Sequence, residues 1–213
     1  MRVLVACEES QAVTIELRRL GHEAYSCDIQ DCSGGHPEWH IKGDALELLK
    51  LKWDMIIAHP PCTYLSNLGS ANLVRHGVIN EQRMQKAIEA RNFFMRFVNA
   101  DCPRVAIENP VPSKRHKLPP YDQIIEPYMF GDPWRKRTCL WLKGLPPLFA
   151  TQLVVPEGVW VRTTTAGKYN EAWKLKGHKD AKMRSKTFPG IARAMAEQWA
   201  GQCEGGIPHE NHP

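Results

Sequence analysis

Residues 53–62 read WDMIIAHPPC. A short apolar run of this kind, bounded on both sides by polar residues or prolines, reads as a strand buried on both faces. Pro60 and Pro61 stop the strand and restrict the backbone ahead of Cys62, so a thiol is held in a fixed direction at a strand's carboxyl end. Residues 2–7 (RVLVAC) form a run of the same type. Ser10 is placed to cap a helix whose stripe is Val13, Leu17 and Leu20 and whose end is Gly21. Residues 22–27 (HEAYSC) read as a second strand, stopping at Asp28. The stretch 31–40 (DCSGGHPEWH) reads as a loop, and Asp44 opens a short helix running to Leu49.

On the other side of the opening stretch, Asn80 caps the longest helix, with Met84, Ala87, Ile88, Phe94, Phe97 and Val98 at helical spacing. Residues 103–107 (PRVAI) are another buried strand, ending at Glu108-Asn109-Pro110, and residues 138–142 (TCLWL) are a later one. Strand and helix alternate from residue 2 to residue 107. Such alternation implies right-handed crossovers and a parallel sheet covered on both faces: an α/β, doubly wound, Rossmann-like fold. Ligands of such sheets sit beyond the carboxyl ends of the strands. Cys7-Glu8-Glu9, Asp28, residues 59–62 and Glu108-Asn109 all fall there, which points to one shared pocket.

The whole chain sets the bounds. With 213 residues, 43% hydrophobic and 24% charged, it fits one well-buried domain with at most a modest insertion. Its formal net charge of +5 suits a polyanionic partner without requiring one. No apolar run approaches the roughly 18 residues of a membrane span. The opening MRVLVACEES turns polar too soon for a secretory signal, so a cytoplasmic protein is expected. The cysteine count, seven, is odd and follows no framework, as free thiols in a reducing compartment would. Cys27, Cys32, His36 and His40 have a spacing that zinc accepts, although the fold does not need a metal there and none is expected. The residues from Gly205 to Pro213 (GGIPHENHP) read as a frayed, disordered tail.

A cysteine is a strong nucleophile once part of it is thiolate. A carboxyl beside it is what addition to a pyrimidine ring needs: the thiolate adds at C6 while the acid supports N3, leaving C5 electron-rich. Taken alone, PPC is more simply a buried cysteine after a strand, and Glu108 alone a capping or salt-bridging acid. Together and in order, Pro60-Pro61-Cys62 after one strand and Glu108-Asn109 after the next resemble two central motifs of the DNA cytosine-C5 methyltransferases. Arg135-Lys136-Arg137 is similar to that family's paired arginines, and residues 184–192 (RSKTFPGIA) to its final motif. The short form resembles proteins often encoded by bacteriophages.

The resemblance implies S-adenosylmethionine as cofactor and DNA as partner. Cys62, Glu108, Arg137 and Arg135 would be catalytic, and Pro61, Ser66, Asn109 and Lys136 would lie against the substrate. Ala6, Cys7, Glu8, Glu9, Asp28, Ile29, Asp44, Pro60 and Ser185 would surround the cofactor. It also implies a division of the chain: residues 1–142 as the catalytic domain, 143–183 as a short insertion in place of a target-recognition domain, and 184–204 as a returning helix. The sequence departs from the family in three ways. Residues 6–10 (ACEES) contain no glycine, proline follows Asn109, and the space for a recognition domain is small. That small segment interleaves Trp160, Arg162, Lys168, Tyr169, Trp173 and Lys174, as backbone contact and base stacking require, or as an ordinary solvated loop would show. A short or loosely defined DNA site is expected, with single strands or nucleotides open as substrates. Two other readings stand beside this one: a DNA-binding protein of the same fold without transferase activity, and C5 transfer on a free pyrimidine nucleotide.

Overall fold

The computed structural model describes residues 1–70, 73–75, 78–159 and 185–202. Seven strands form one sheet: β1 (Arg2–Ala6), β2 (Glu23–Asp28), β3 (His40–Lys42), β4 (Met55–Ala58), β5 (Val105–Pro110), β6 (Gln123–Ile125) and β7 (Thr138–Lys143). Their order is β3-β2-β1-β4-β5-β7-β6. The first five run parallel; β7 is antiparallel to both β5 and β6. β1 thus lies in the middle of the sheet, β2 and β3 build outward to one edge, and β4 and β5 build the other way, where the reversed strand β7 sits between β5 and the edge strand β6.

Helices α1 (Ala12–Arg19), α2 (Ala45–Leu48), α3 (Asn67–Ser70), α4 (Glu81–Val98) and α5 (Pro189–Trp199) complete the fold. Alternation along the strands splits the core in two. Val3, Val5, Met55, Ile57 and Ala106 face Val13 and Leu17 of α1 and Ile191, Met195 and Trp199 of α5. Leu4, Ala6, Ile56, Ala58, Val105 and Ile107 face Ala45 of α2 and Phe94 and Phe97 of α4. This is the doubly wound α/β architecture expected from the sequence.

Several local expectations are corrected. Ser10 does not cap α1; its N-cap is Gln11, in the left-handed conformation at φ 59°, with no side-chain cap bond. The carboxylate of Glu8 takes that task, accepting from Val13 N–H at 2.7 Å, Thr14 N–H at 3.3 Å and Thr14 Oγ1–H at 2.7 Å. A carboxylate reaches further than a serine hydroxyl and satisfies several helix-end donors at once. The stretch read as a loop up to His40 ends in β3, which is paired to β2 through Ser26↔His40 and Cys27↔Ile41. Glu108-Asn109-Pro110 does not follow a strand but lies within β5, because β7 pairs alongside it (Leu140↔Glu108, Cys139↔Asn109, Thr138↔Pro110). Ile88 points outward and is 46% exposed. Asp44 and Asn80 cap their helices as expected, accepting from Leu46 N–H and Arg83 N–H.

Candidate active site

The carboxyl ends of β1, β2, β4 and β5 are level, since Ala6 stands beside both Cys27 and Ala58, and Ala58 beside Ile107. Backbone bonds continue past the strands: Glu8 N–H donates to Cys27 O at 3.1 Å and His59 N–H to Ala6 O at 2.9 Å. The loop leaving β4 turns on Cys62, whose carbonyl accepts from Leu65 N–H and Ser66 N–H. Fully buried Leu65 pins this loop to the core. Asn67 N–H donates to Val111 O and Ser113 N–H to Leu65 O, which sews the loop to the segment after β5. Buried Asn109 adds a further tie, donating from Nδ2 to Pro60 O at 2.7 Å. Cys62 and Glu108 therefore flank a single contact between adjacent strand ends. Cys62 is half-buried at the rim, Pro60 is buried and Pro61 exposed.

Glu108 is nearly enclosed, and its Oε2 lies 3.2 Å from His59 Nδ1, the two side chains being 13% and 8% exposed. Burial works to raise the carboxyl's pKa. The His59 hydrogen bond, the Lys136 ammonium and the Thr138 hydroxyl together outweigh it and hold Glu108 below the usual carboxylate range. Glu108 is thus an anion that can only accept hydrogen bonds, and His59 Nδ1 carries the proton of their bond. Glu8, on the β1–α1 loop, is buried and also feels the charge of His59; burial dominates there and pushes its carboxyl up.

Four other thiols have raised pKa values. Burial, with Asp28, Cys27 and Asp44 nearby, pushes the Cys7 thiol far up. Burial likewise raises Cys27 and Cys139, each to about 11, and Cys102. These four are protonated fillers of apolar space.

The cleft between the ends of β1 and β2 carries the second group of residues. Cys7 has φ 60°, the left-handed conformation normally left to glycine. The backbone shape that a glycine would supply after β1 is therefore present without one. Asp28 is half-buried, Ile29 is 76% exposed beside it, and Asp44 is exposed at the start of α2. Two carboxylates and one bare aliphatic side chain fit an adenosine: acceptors for ribose hydroxyls and for an amino group, and an apolar face for the purine. Glu9 and Ala6 are buried in the same turn, and Ser185 lies exposed ahead of α5.

Arg135 and Arg137 are exposed on either side of Lys136, with the Arg135 guanidinium 5.7 Å from the Tyr128 ring centre. Of the three, Lys136 is the one whose charge acts on Glu108. Beside the Cys62 loop is a recess of about 280 Å³ lined by Asn67, Ser70, Val74, Ser113 and Arg115. It holds donors and one cation and no acid, and Lys114, His116 and Lys117 follow the same turn.

The possible zinc set does not converge. Cys27 Sγ points to Gly43 O at 3.5 Å, His40 is used by Ser26 and Gln30, and the His36 ring stacks on Trp39. Among the described residues no three His, Cys, Asp or Glu side chains are placed to hold a metal ion. No helix among them is long and apolar enough to cross a membrane. Trp160 to Lys176, the aromatic and basic residues read as a small recognition segment, lie outside the described residues, as does the tail. The site residue that sequence reasoning passed over is His59. Its signal was the register itself: one step beyond Ala58↔Ile107 sets residue 59 beside residue 108.

No family model and no curated protein sequence matches the chain. Among solved structures, the chain is similar to a protein of an E. coli prophage described as a DNA modification methyltransferase, at 14% identity and TM-score 0.41, over 66% of this chain and 45% of that one. It is also similar to the Dnmt2 methyltransferase of S. pombe, at 14% identity and TM-score 0.39, over 69% of this chain and 51% of that one. The chain spans about half the length of these structures, and likenesses of this size carry no argument about chemistry.

Proposed function

We propose that the protein is a small DNA cytosine-C5 methyltransferase using S-adenosylmethionine, of the compact phage-type form with a reduced recognition segment at 143–183. The observation that supports this reading is that the segment leading to Cys62 is tied to the Glu108 strand, by Asn109 Nδ2–H on Pro60 O and by His59 Nδ1 on the Glu108 carboxylate. A cytosine brought out of its stack, at a cost of about a few kcal/mol, would lie between them. Cys62 adds as thiolate to C6, and the ring's electrons move toward C5. Glu108, being ionised, accepts from the exocyclic amino group and from the N3–H that forms as N3 takes a proton from solvent, so charge is neutralised where it develops. Arg137 and Arg135 with Lys136 balance the substrate's phosphate and the intermediate. The cofactor, held by Asp28, Ile29 and Asp44 with the turn from Ala6 to Glu9, supplies one electrophilic methyl group. Loss of the C5 proton to solvent and departure of the Cys62 thiolate restore the aromatic ring. The recess lined by Asn67, Ser70, Ser113 and Arg115, with Ser66 next in the chain, suits a DNA phosphate.

The full chain incubated with methyl-labelled S-adenosylmethionine and cytosine-containing DNA is expected to label C5, and Cys62→Ser to reduce labelling at least about a thousandfold, as loss of a covalent nucleophile does. DNA containing 5-fluorocytosine should become covalently attached to Cys62 only when cofactor is present. Transfer to dCMP in preference to an oligonucleotide would reassign the substrate. Folded protein that binds DNA and transfers nothing would leave only the binding role.

A further inference from the structure

We propose that His59 is a positioning residue for Glu108: its Nδ1–H grips one carboxylate oxygen and fixes the acid in the orientation from which it meets the pyrimidine edge. This rests on the reading of Cys62 and Glu108 given above. Three observations carry it. The ring is anchored at both ends of its own residue, by the 3.2 Å bond to Glu108 on β5 and by the 2.9 Å bond from its N–H to Ala6 on β1. Pro60 then fixes the chain that leaves it. The groups acting on this pair come from three directions: Glu8 on the loop after β1, Glu108 itself, and Lys136 ahead of β7.

The third observation is what the ring leaves unused. His59 Nε2 is buried and has no partner among the described residues. Two other histidines of the sheet region use both nitrogens. His22 joins the Met1 ammonium to Gly201 O, and His40 joins Ser26 Oγ to Gln30 O. A buried ring nitrogen without a partner is costly, and it occurs here at the residue that touches the Glu108 carboxylate.

Two substitutions separate this role from packing. Asparagine places an amide N–H where Nδ1 stands; phenylalanine keeps the volume and removes the donor. In single-turnover trapping on 5-fluorocytosine DNA, His59→Phe is expected to slow adduct formation about 30-fold, which is about 2 kcal/mol at 1.36 kcal/mol per tenfold. DNA affinity should stay within about 3-fold, and His59→Asn should recover most of the rate. A second measurement needs no reaction: nitrogen-15 spectra of the histidines in wild type and in Glu108→Gln, where the His59 Nδ1 resonance is expected to shift. Trapping by His59→Phe at the wild-type rate overturns the inference and leaves the methyltransferase reading intact. If the wild type is never trapped, that reading fails, and the spectra alone decide: an Nδ1 resonance indifferent to Glu108→Gln overturns the positioning role.

Discussion

Glu108 and Glu8 are two buried carboxyls within reach of one imidazole, and their pKa values move in opposite directions. The difference lies in their donors. Glu108 is answered by a histidine, a lysine and a hydroxyl; Glu8 is answered by helix N–H groups and a hydroxyl, with burial prevailing. A depressed carboxyl stabilises the fold above its unfolded pKa, about 4.3 for glutamate, and loses that contribution as pH falls through the folded value. The raised Glu8 acts with the reverse sign: its contribution is present at acid pH and is lost as pH rises through its folded value. Glu108→Gln is therefore expected to cost about 1–3 kcal/mol at pH 7, and less and less as the pH is lowered below about 4. Urea unfolding of wild type and variant between pH 3 and 8 measures this. A difference that stays constant across the range would mean that Glu108 is not held as an anion.

Among the elements, α5 is attached by a contact that admits no side chain. A Cβ on Gly190 would stand 1.9 Å from Phe130 O and 2.9 Å from Asp132 Oδ2, the same oxygen that accepts from Gly190 N–H at 3.0 Å. Gly190→Ala is expected to destabilise the fold by about 2–4 kcal/mol and to open α5 to proteolysis; limited digestion with mass analysis reads it. Much at this scale was legible in the sequence. The strands that became β1, β2, β4, β5 and β7 have apolar runs, and the helices at residues 12, 45 and 81 have stripes or capping residues. Edge strands β3 and β6 did not show because each is three residues long, too short for a period of two to appear, and exists only through its neighbour. For the same reason the extension of β5 through Glu108 was hidden: it depends on β7, some 30 residues away in the chain. Cys62 and Glu108 stood out by residue type and order. His59 and the capping role of Glu8 did not, because both arise from adjacency across strands rather than from local pattern.

For the whole molecule, the decisive question is whether the β1–β2 cleft binds the adenosine of S-adenosylmethionine. Ligand at about 100 times its Kd adds about 2.7 kcal/mol to stability, which for a domain of this size raises Tm by roughly 5–10 °C. Asp28→Ala is expected to remove most of that rise in a thermal-shift assay; an equal rise in both proteins would place the cofactor elsewhere. The pairing of α1 with α5, reinforced by Arg19 and Glu197 at 3.1 Å, has a consequence for how the chain is made. Val3 and Val5 leave the ribosome about 190 residues ahead of Ile191, Met195 and Trp199, which cover the same face. At about 5–20 residues per second, that face stays uncovered for about 10–40 s of synthesis. The nascent chain therefore presents a greasy half-sheet throughout that interval, a natural client surface for ribosome-associated chaperones, until α5 emerges to close it.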